Sequence, residues 1–399
     1  MDIAPATITI AQRMAGGLNS FALLAIPFFV LSGLIMGRGG IAKRLIECAM
    51  ALIGALPGGL ALVNVVSCML FGAISGSAVA TTSAIGSFML PEMKKAGYEP
   101  NFSAAVTAAA STTGMLIPPS NILPSNILIV YAIASGGVSI AALFMAGYIP
   151  GIMVGLALML VCFIYAKMKG YPLSPRLPIK VVVEKTIAAL PSLFLIFLVI
   201  GGIVGGVFTA TEAGAIAVVY SLLLAVVFYK EVDAKALPDI FLKAAETTAI
   251  VMLLIAASTA MSWLLSFENI PQTLSNALLS ISDNPLLILL LINLLLIVVG
   301  AFLDMTPAVL IFTPIFLPVA LELGMSELQF GIMLVLNLSI GLCSPPVGAV
   351  LFITCAIAKT KLENIIRPLI PLYVAMFVVL MLVTYVAWFS EALPRALGF

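Results

Sequence analysis

Long apolar runs organise this chain, with few of the apolar/polar alternations that mark half-buried strands. A helix needs about 20 residues, at ~1.5 Å each, to cross a hydrocarbon core of roughly 30 Å. Runs near or beyond that length are predicted as spans at Ser20–Met36, Phe102–Ala134 with an interruption, Ile140–Met168, Ile187–Val204, Thr209–Tyr229, Ile240–Phe267, Leu328–Ala358 with an interruption, and Leu369–Trp388. Two regions behave differently. Leu60–Ile74 and Ala78–Leu90 are too short to span comfortably, are joined by Ser75-Gly76-Ser77, and end at Pro91. Leu286–Phe302 and Pro307–Leu317 are joined around Asp304 and end at Pro318. Both regions are predicted to be re-entrant helical hairpins with their tips near mid-membrane, where broken backbone is tolerated only against protein or a wet cavity. Arg38–Leu56 and Asn269–Asn284 are predicted as helices lying along the interface.

The two hairpin regions belong to an internal repeat. Pro91 and Pro318, Gly97 and Gly324, Gly114 and Gly341, Pro118 and Pro345, and Pro119 and Pro346 are all separated by 227 residues. Five spans lie between the hairpins, and an odd number turns one repeat upside down relative to the other. The predicted fold class is an all-α integral membrane protein of inverted structural repeats, each with a re-entrant helical hairpin and a broken transmembrane helix. The first repeat covers 1–185, with its hairpin at 58–91 and broken helix at 102–134. The second covers 186–399, with its hairpin at 285–318 and broken helix at 328–358. At the same offset the helices at 187–229 have no partners, so the first repeat is expected to lack about two N-terminal helices. Residues 1–19 are expected to carry neither a signal peptide nor a span.

Charge sets the orientation. Placing Lys94 and Lys95 in the cytoplasm puts 16 of the 18 basic residues there, leaving Arg13 and Arg395 outside, as the positive-inside rule expects. A chain that is 63% hydrophobic and 9% charged lies far from soluble composition, and its net charge of +1 gives no electrostatic footprint for nucleic acid. Histidine is absent, which removes the commonest general base, and the five cysteines show no ligand spacing. An enzyme is not expected. An intramembrane catalyst built on Asp304 or a serine would need a base beside its nucleophile.

Each hairpin is matched by a broken span. Ser111-Thr112-Thr113-Gly114 precedes Pro118-Pro119-Ser120-Asn121, and Ser339-Ile340-Gly341-Leu342-Cys343-Ser344 precedes Pro345-Pro346. Proline removes a backbone donor and clashes with the carbonyl four residues earlier, so these runs are predicted to unwind and free carbonyl oxygens. Hydroxyls beside such carbonyls suit a desolvated Na⁺, and half-helix N-termini favour anionic groups. Taken singly, each Pro-Pro also reads as a kink and each small residue as a packing device. Asp304 is either a functional carboxylate or the N-cap of the half-helix starting near Pro307. Thr209 to Glu212 has the spacing of a capping box. Asn64 and Asn337 are expected to bond between helices. Lysine and arginine are absent from both hairpins' apolar arms and both breaks, so a bound anion must be met by N–H groups, hydroxyls, Asn side chains, helix ends and cations.

These motifs resemble one family. Gly72-Ala73-Ile74-Ser75-Gly76-Ser77-Ala78, Leu90-Pro91-Glu92-Met93, Ile117-Pro118-Pro119-Ser120, Gly205 to Ala213, Gly300-Ala301-Phe302-Leu303-Asp304 and Ser344-Pro345-Pro346-Val347-Gly348 resemble the large membrane subunit of tripartite ATP-independent periplasmic (TRAP) transporters, the DctM-like permeases. The resemblance covers nearly the whole chain. It implies a sodium-coupled importer of organic acids such as C4-dicarboxylates, sialic acid or sugar acids, multi-pass in the bacterial inner membrane, with an elevator-type transporter fold. Its implied partners are a small DctQ-like membrane subunit and a DctP-like periplasmic substrate-binding protein. Two or more Na⁺ ions are implied as coupling ions. One site would use Ser75, Gly76, Ser77, Thr113 and Gly114, and a second Asp304, Thr306, Gly341 and Ser344. Substrate would lie between them, against Ser77, Ser120, Asn121, Asn126, Asp304 and Pro346.

By this resemblance the chain is expected to lack the family's first hydrophobic helices, and it departs from the family pattern in a tandem repeat. Pro119-Ser120-Asn121-Ile122-Leu123 is succeeded by Pro124-Ser125-Asn126-Ile127-Leu128 where the family has one copy. Five extra residues within a helix rotate the residues downstream of them by about 140°, so the first site is displaced unless a loop absorbs them. A carboxylate carrier that works without a delivery protein, and a channel, are the rival transport readings.

Overall fold

The computed structural model describes residues 3–19, 21–117, 127–171, 177–269, 273, 284–345 and 348–399. Among these all regular secondary structure is helical, as buried backbone in a bilayer requires. The first half holds α1 (Ile3–Leu18), α2 (Ala25–Arg38), α3 (Ile41–Ile53), α4 (Gly59–Ser75), α5 (Ala78–Lys95), α6 (Pro100–Thr113), α7 (Ile127–Ala134) and α8 (Ile140–Lys169). It continues with α9 (Ile179–Val204), α10 (Ala210–Leu222), which runs on into a π-helical turn at Leu223–Phe228, and α11 (Leu237–Phe267). The last part holds α12 (Pro285–Phe302), α13 (Met305–Glu322), α14 (Glu327–Leu342), α15 (Ala349–Ala358), α16 (Leu362–Tyr385) and α17 (Trp388–Ala396).

The repeat is legible in the boundaries themselves. α5 begins at Ala78 and ends at Lys95, and α13 begins and ends 227 residues later, at Met305 and Glu322. Past the tandem repeat the offset drops to 222, which carries Ile127 onto Ala349 and Ile140 onto Leu362, the first residues of the paired helices. The five extra residues are therefore taken up between Thr113 and Ile127, outside any described helix, and the helices after them keep their register.

Two expectations are corrected. Pro91 and Pro318 do not end their helices: α5 runs on to Lys95, and α13 passes both Pro314 and Pro318 to reach Glu322. One missing N–H and a local bend are tolerable where neighbouring helices pack the distorted turn. Each arm is consequently 18 residues long, about 27 Å at the helical rise. Residues 3–18 form α1, which packs along α11. The span drawn from Ser20 begins only at Ala25, after a 3₁₀ turn at Phe21–Leu24, and extends to Arg38. The interfacial helix expected at Arg38–Leu56 is α3, which turns 66° away from α2, whereas most of Asn269–Asn284 lies outside the described residues.

The helices sort into two packed groups. In one, α2 packs on α10 and α11, α1 on α11, and α3 and α10 on α9, with Ile35, Val218, Ala225, Val232 and Ile240 forming a small core of its own. In the other, each broken helix crosses to the opposite hairpin: α7 packs on α13 and α15 on α5, while α8 and α16 pack together. The groups meet where α3 lies on α4 and α11 on α13. Between α9 and the α4/α8 pair an apolar cleft of about 720 Å³ remains unfilled, with Phe197 and Leu193 facing Met69 and Tyr148. The predicted capping box is formed at the start of α10, with the Glu212 carboxylate accepting from the Thr209 N–H at 2.8 Å. Glu99 precedes α6 and accepts from Lys169 of α8 at 2.8 Å, which holds its carboxyl below the usual carboxylate range.

Candidate functional site

Both hairpin tips are built by short-range chemistry. Gly76 closes α4 in the left-handed region (φ 61°), a conformation that favours glycine, and its N–H donates to the Gly72 carbonyl at 2.7 Å. Ser77 is extended and caps α5, its Oγ accepting from the Ala80 N–H at 3.2 Å. Behind the tip, Ser75 Oγ and Thr81 Oγ1 share a hydrogen bond of 2.9 Å. In the second tip Leu303 and Asp304 are extended, and Asp304 stands at the N-cap of α13. Its backbone carbonyl accepts from Ala308, but its side chain makes no cap bond. The carboxylate is exposed, so of the two readings of this residue the side-chain cap is not the one formed.

The tips meet. A cavity of about 150 Å³ is lined by Gly76 and Ser77 of one hairpin, Asp304 and Thr306 of the other, and Met115 and Leu342 from the ends of the two broken helices. The outer ends of the second arms, about 27 Å from the tips at the helical rise, carry charge: Glu92, Lys94 and Lys95 in the first hairpin and Glu322 in the second.

Of the remaining expected site residues, those described stand behind the two tips. Gly114 is pressed against the first hairpin: a Cβ there would stand 2.4 Å from the Gly72 Cα and 2.7 Å from the Ala73 nitrogen. Gly341 is pressed in the same way against the second, with a Cβ 2.5 Å from the Gly300 Cα. The backbone of each broken helix thus touches the backbone of its hairpin one turn behind the tip. Ser111, Thr112 and Thr113 are buried, and each donates its hydroxyl proton to the carbonyl three residues back, at 2.9, 2.9 and 2.7 Å. Ser344 donates to the Ile340 carbonyl at 2.9 Å and faces Tyr373 Oη at 2.9 Å, lining a separate apolar cleft and not the shared cavity. Ser120, Asn121, Asn126 and Pro346, with Pro118 and Pro119, lie outside the described residues.

A hydroxyl whose proton is already held by a backbone carbonyl presents only lone pairs to anything else. Thr113 and Ser344 are in that state, each next to a helix end that leaves carbonyls without intrahelical partners. Such oxygen donors suit a hard, weakly polarising cation such as Na⁺ better than an anion. The N-termini of α5 and α13 both open at the tips, and each supplies roughly half a positive charge to the cavity. Among the described residues, Asp304 is the only charged side chain in the cavity lining.

Polar bonds fix each hairpin to its broken helix. Asn64 Nδ2 donates to Thr107 Oγ1 at 2.7 Å, and Asn337 Nδ2 donates to the Asn293 carbonyl and Oδ1 at 2.9 and 2.8 Å, all buried. These bonds are interhelical, as expected. Replacing Asn337 by leucine strands the Asn293 acceptors in the core and is expected to lower stability by about 1–3 kcal/mol, measured as a fall in melting temperature of the purified protein. Sequence reasoning missed the glycine partners Gly72 and Gly300, the cavity residues Met115 and Leu342, and the hydroxyls of Thr81 and Tyr373. Gly72 and Gly300 left a signal, since each stands a few residues before a tip, but nothing in the sequence names the neighbour.

Two hairpins and two broken helices around one central cavity define a membrane transport subunit. Residues 1–389 match the family model described as the DctM component of the tripartite ATP-independent periplasmic transporter, and the chain belongs to that family as a large permease subunit. It is 51% identical to the uncharacterized protein YgiK of Salmonella typhimurium over 96% of this chain and 87% of the relative. It is 40% identical to the C4-dicarboxylate TRAP transporter large permease protein DctM of Pseudomonas aeruginosa, covering 95% and 87%. To the sialic acid TRAP transporter large permease protein SiaM of Vibrio cholerae it is 38% identical, covering 96% and 89%. In three dimensions it is similar to the YdaH transporter of Alcanivorax borkumensis, with a TM-score of 0.66 at 14% identity over 98% of this chain and 89% of that one, a likeness of fold alone. The chain is a multi-pass, non-enzymatic protein of the bacterial inner membrane.

Proposed function

We propose that this subunit carries small organic acids inward, coupled to two or more Na⁺ ions, with a small DctQ-like membrane subunit and a DctP-like periplasmic binding protein as partners. The observation that carries the reading is the cavity, where two helix N-termini face each other and the one charged side chain among the described residues is the carboxylate of Asp304. A second carboxylate placed there is repelled by Asp304. At about 5 Å and an effective dielectric of 20, that repulsion is roughly 3 kcal/mol. Bound cations between the two remove it, so anion and sodium bind together and neither binds well alone. The relatives named for C4-dicarboxylates, sialic acid, 2,3-diketo-L-gulonate and isethionate all take small organic anions, which fits a site without a fixed cation.

The first bed consists of Ser75, Gly76 and Ser77 with Thr113 and Gly114, and the second of Asp304 and Thr306 with Gly341 and Ser344. Substrate lies between them, against Ser77 and Asp304, with Ser120, Asn121, Asn126 and Pro346 as further contacts. The repeats 1–185 and 186–399 are inverted, and the helix group holding both hairpins moves as an elevator against the other group. The unfilled cleft along α9 supports such a movement, because a tightly interdigitated face would resist sliding.

Ser77→Ala and Thr306→Ala are each expected to raise the sodium concentration for half-maximal uptake by about tenfold, measured in proteoliposomes with the partner proteins present. Unchanged sodium dependence in both variants overturns the site assignment. Uptake that persists with no soluble component favours the carrier without a delivery protein, and flux indifferent to sodium removal favours a channel.

A further inference from the structure

The outer end of the first hairpin carries a pocket of its own. A space of about 220 Å³ lies between the last turns of α5, the first turn of α6 and the end of α15, lined by Lys94, Lys359 and Ser103 and walled by Leu90, Pro91 and Ile357. Its rim is fastened: Thr360 Oγ1 donates to Asn101 Oδ1 at 2.6 Å, which ties the turn after α15 to the start of α6. Among the described residues neither lysine enters an ion pair. The carboxylates of the adjoining segments are engaged elsewhere, Glu92 with Lys95 and Glu99 with Lys169.

The other repeat builds the same corner without these cations. At the offsets of 227 before the tandem repeat and 222 after it, Lys94 corresponds to Leu321 and Lys359 to Gly137. Both turns take a positive φ, 117° at Gly137 and 53° at Lys359, and that region favours glycine. Lys359 therefore occupies a strained position with no carboxylate to compensate it. A lysine at a helix end complements the negative end of the dipole, but that effect does not require two of them on one pocket. Two cations without a counter-charge there attract an anion. The surroundings select its kind. Phe88 and Phe352 lie on the same two helices, six and seven residues before Lys94 and Lys359 and so about 10 Å nearer the membrane interior, and both are exposed. A small free anion gains nothing from such a surface, whereas a phospholipid lays its chains on it. We propose that Lys94 and Lys359 hold the phosphate of an anionic phospholipid, which joins the first hairpin to the end of the second broken helix. Basic pockets between membrane helices suit such headgroups.

The test follows thermal stabilisation of the purified permease with its small membrane subunit as phosphatidylglycerol replaces phosphatidylcholine in mixed micelles at constant total lipid. Lys94→Gln and Lys359→Gly are each expected to raise the phosphatidylglycerol fraction at half-maximal stabilisation by about fivefold, the weight of one lysine beside an anionic surface. Lys95→Gln, outside the pocket, is expected to shift it less than about twofold. In phosphatidylcholine alone Lys359→Gly is expected to melt no lower than the unmodified protein, since glycine suits the positive φ, so its loss of lipid response is not misfolding. If Lys94→Gln melts lower there, Lys94→Arg decides, and it is expected to keep the unmodified midpoint. Glycerol phosphate, the headgroup without chains, is expected to give no stabilisation at millimolar concentration. No response of the unmodified protein to phosphatidylglycerol overturns the proposal, as do unchanged midpoints in the pocket variants. A Lys95→Gln shift as large as theirs reduces the effect to surface charge and also overturns it. Stabilisation by glycerol phosphate that both pocket variants abolish overturns the lipid as occupant in favour of a free anion.

Discussion

Gly114→Val and Gly341→Val are each expected to prevent the permease from reaching a folded, transporting state. A side chain at either position runs into the backbone of the facing hairpin, 2.4 Å from the Gly72 Cα in one case and 2.5 Å from the Gly300 Cα in the other. No rotamer relieves contact with a main chain, and the hairpin cannot retreat without opening its tip. Overpacking commonly costs about 1–3 kcal/mol where side chains can yield, and the loss here is expected at or above the top of that range. The measurement is the yield and melting temperature of the purified variants. Gly37→Ala serves as control: it lies within α2 with no atom within 4 Å of the added carbon, and it is expected to be neutral or slightly stabilising.

Asp304→Asn is expected to leave the fold intact and to damage coupling. The side chain makes no cap bond, so its charge does not hold α13 in place. Under the proposed site assignment, removing that charge takes one anionic oxygen from the second cation bed and also removes the repulsion a substrate carboxylate meets. Sodium affinity is expected to fall by about ten- to a hundredfold. Organic-acid uptake then becomes less dependent on sodium, and its maximal rate declines. Proteoliposome uptake across a sodium titration measures both. A variant with unaltered sodium dependence places the coupling carboxylate elsewhere.

The architecture was readable because membrane burial writes itself into composition and length. Paired prolines and glycines 227 residues apart gave the repeat, the Ser75-Gly76-Ser77 junction gave the first hairpin turn, and the capping box at Thr209 gave a helix start. The proline rule was too strong at Pro91 and Pro318. A single lost N–H is a local matter, and flanking turns with neighbouring helices outweigh it, so the helices run on until the left-handed Gly97 and Gly324 close them, with Tyr98 N–H donating to Met93 and Met325 N–H to Ala320. The tandem repeat looked disruptive only under the assumption that the register downstream would turn with it; the paired starts of Ile140–Lys169 and Leu362–Tyr385 at an offset of 222 show that the later helices keep their register. Contacts across the molecule were the part that periodicity could not supply. Gly72 against Gly114, Tyr373 against Ser344 and the crossing of α7 to α13 depend on how two halves face each other. No spacing within one half records that.

The claim on which the rest depends is that the Gly76–Ser77 and Asp304–Thr306 tips, entering from opposite sides of the bilayer, meet in one cavity. The direct measurement is cross-linking in intact membranes of a Ser77→Cys/Thr306→Cys variant in which the five native cysteines, Cys48, Cys68, Cys162, Cys343 and Cys355, are replaced by alanine or serine. A short bifunctional thiol reagent is expected to bridge the pair within one chain, detected as protection of both thiols from later labelling and as a linked peptide by mass spectrometry. Two thiols that each react singly, and that no short reagent joins, would place the tips at separate depths and contradict the account.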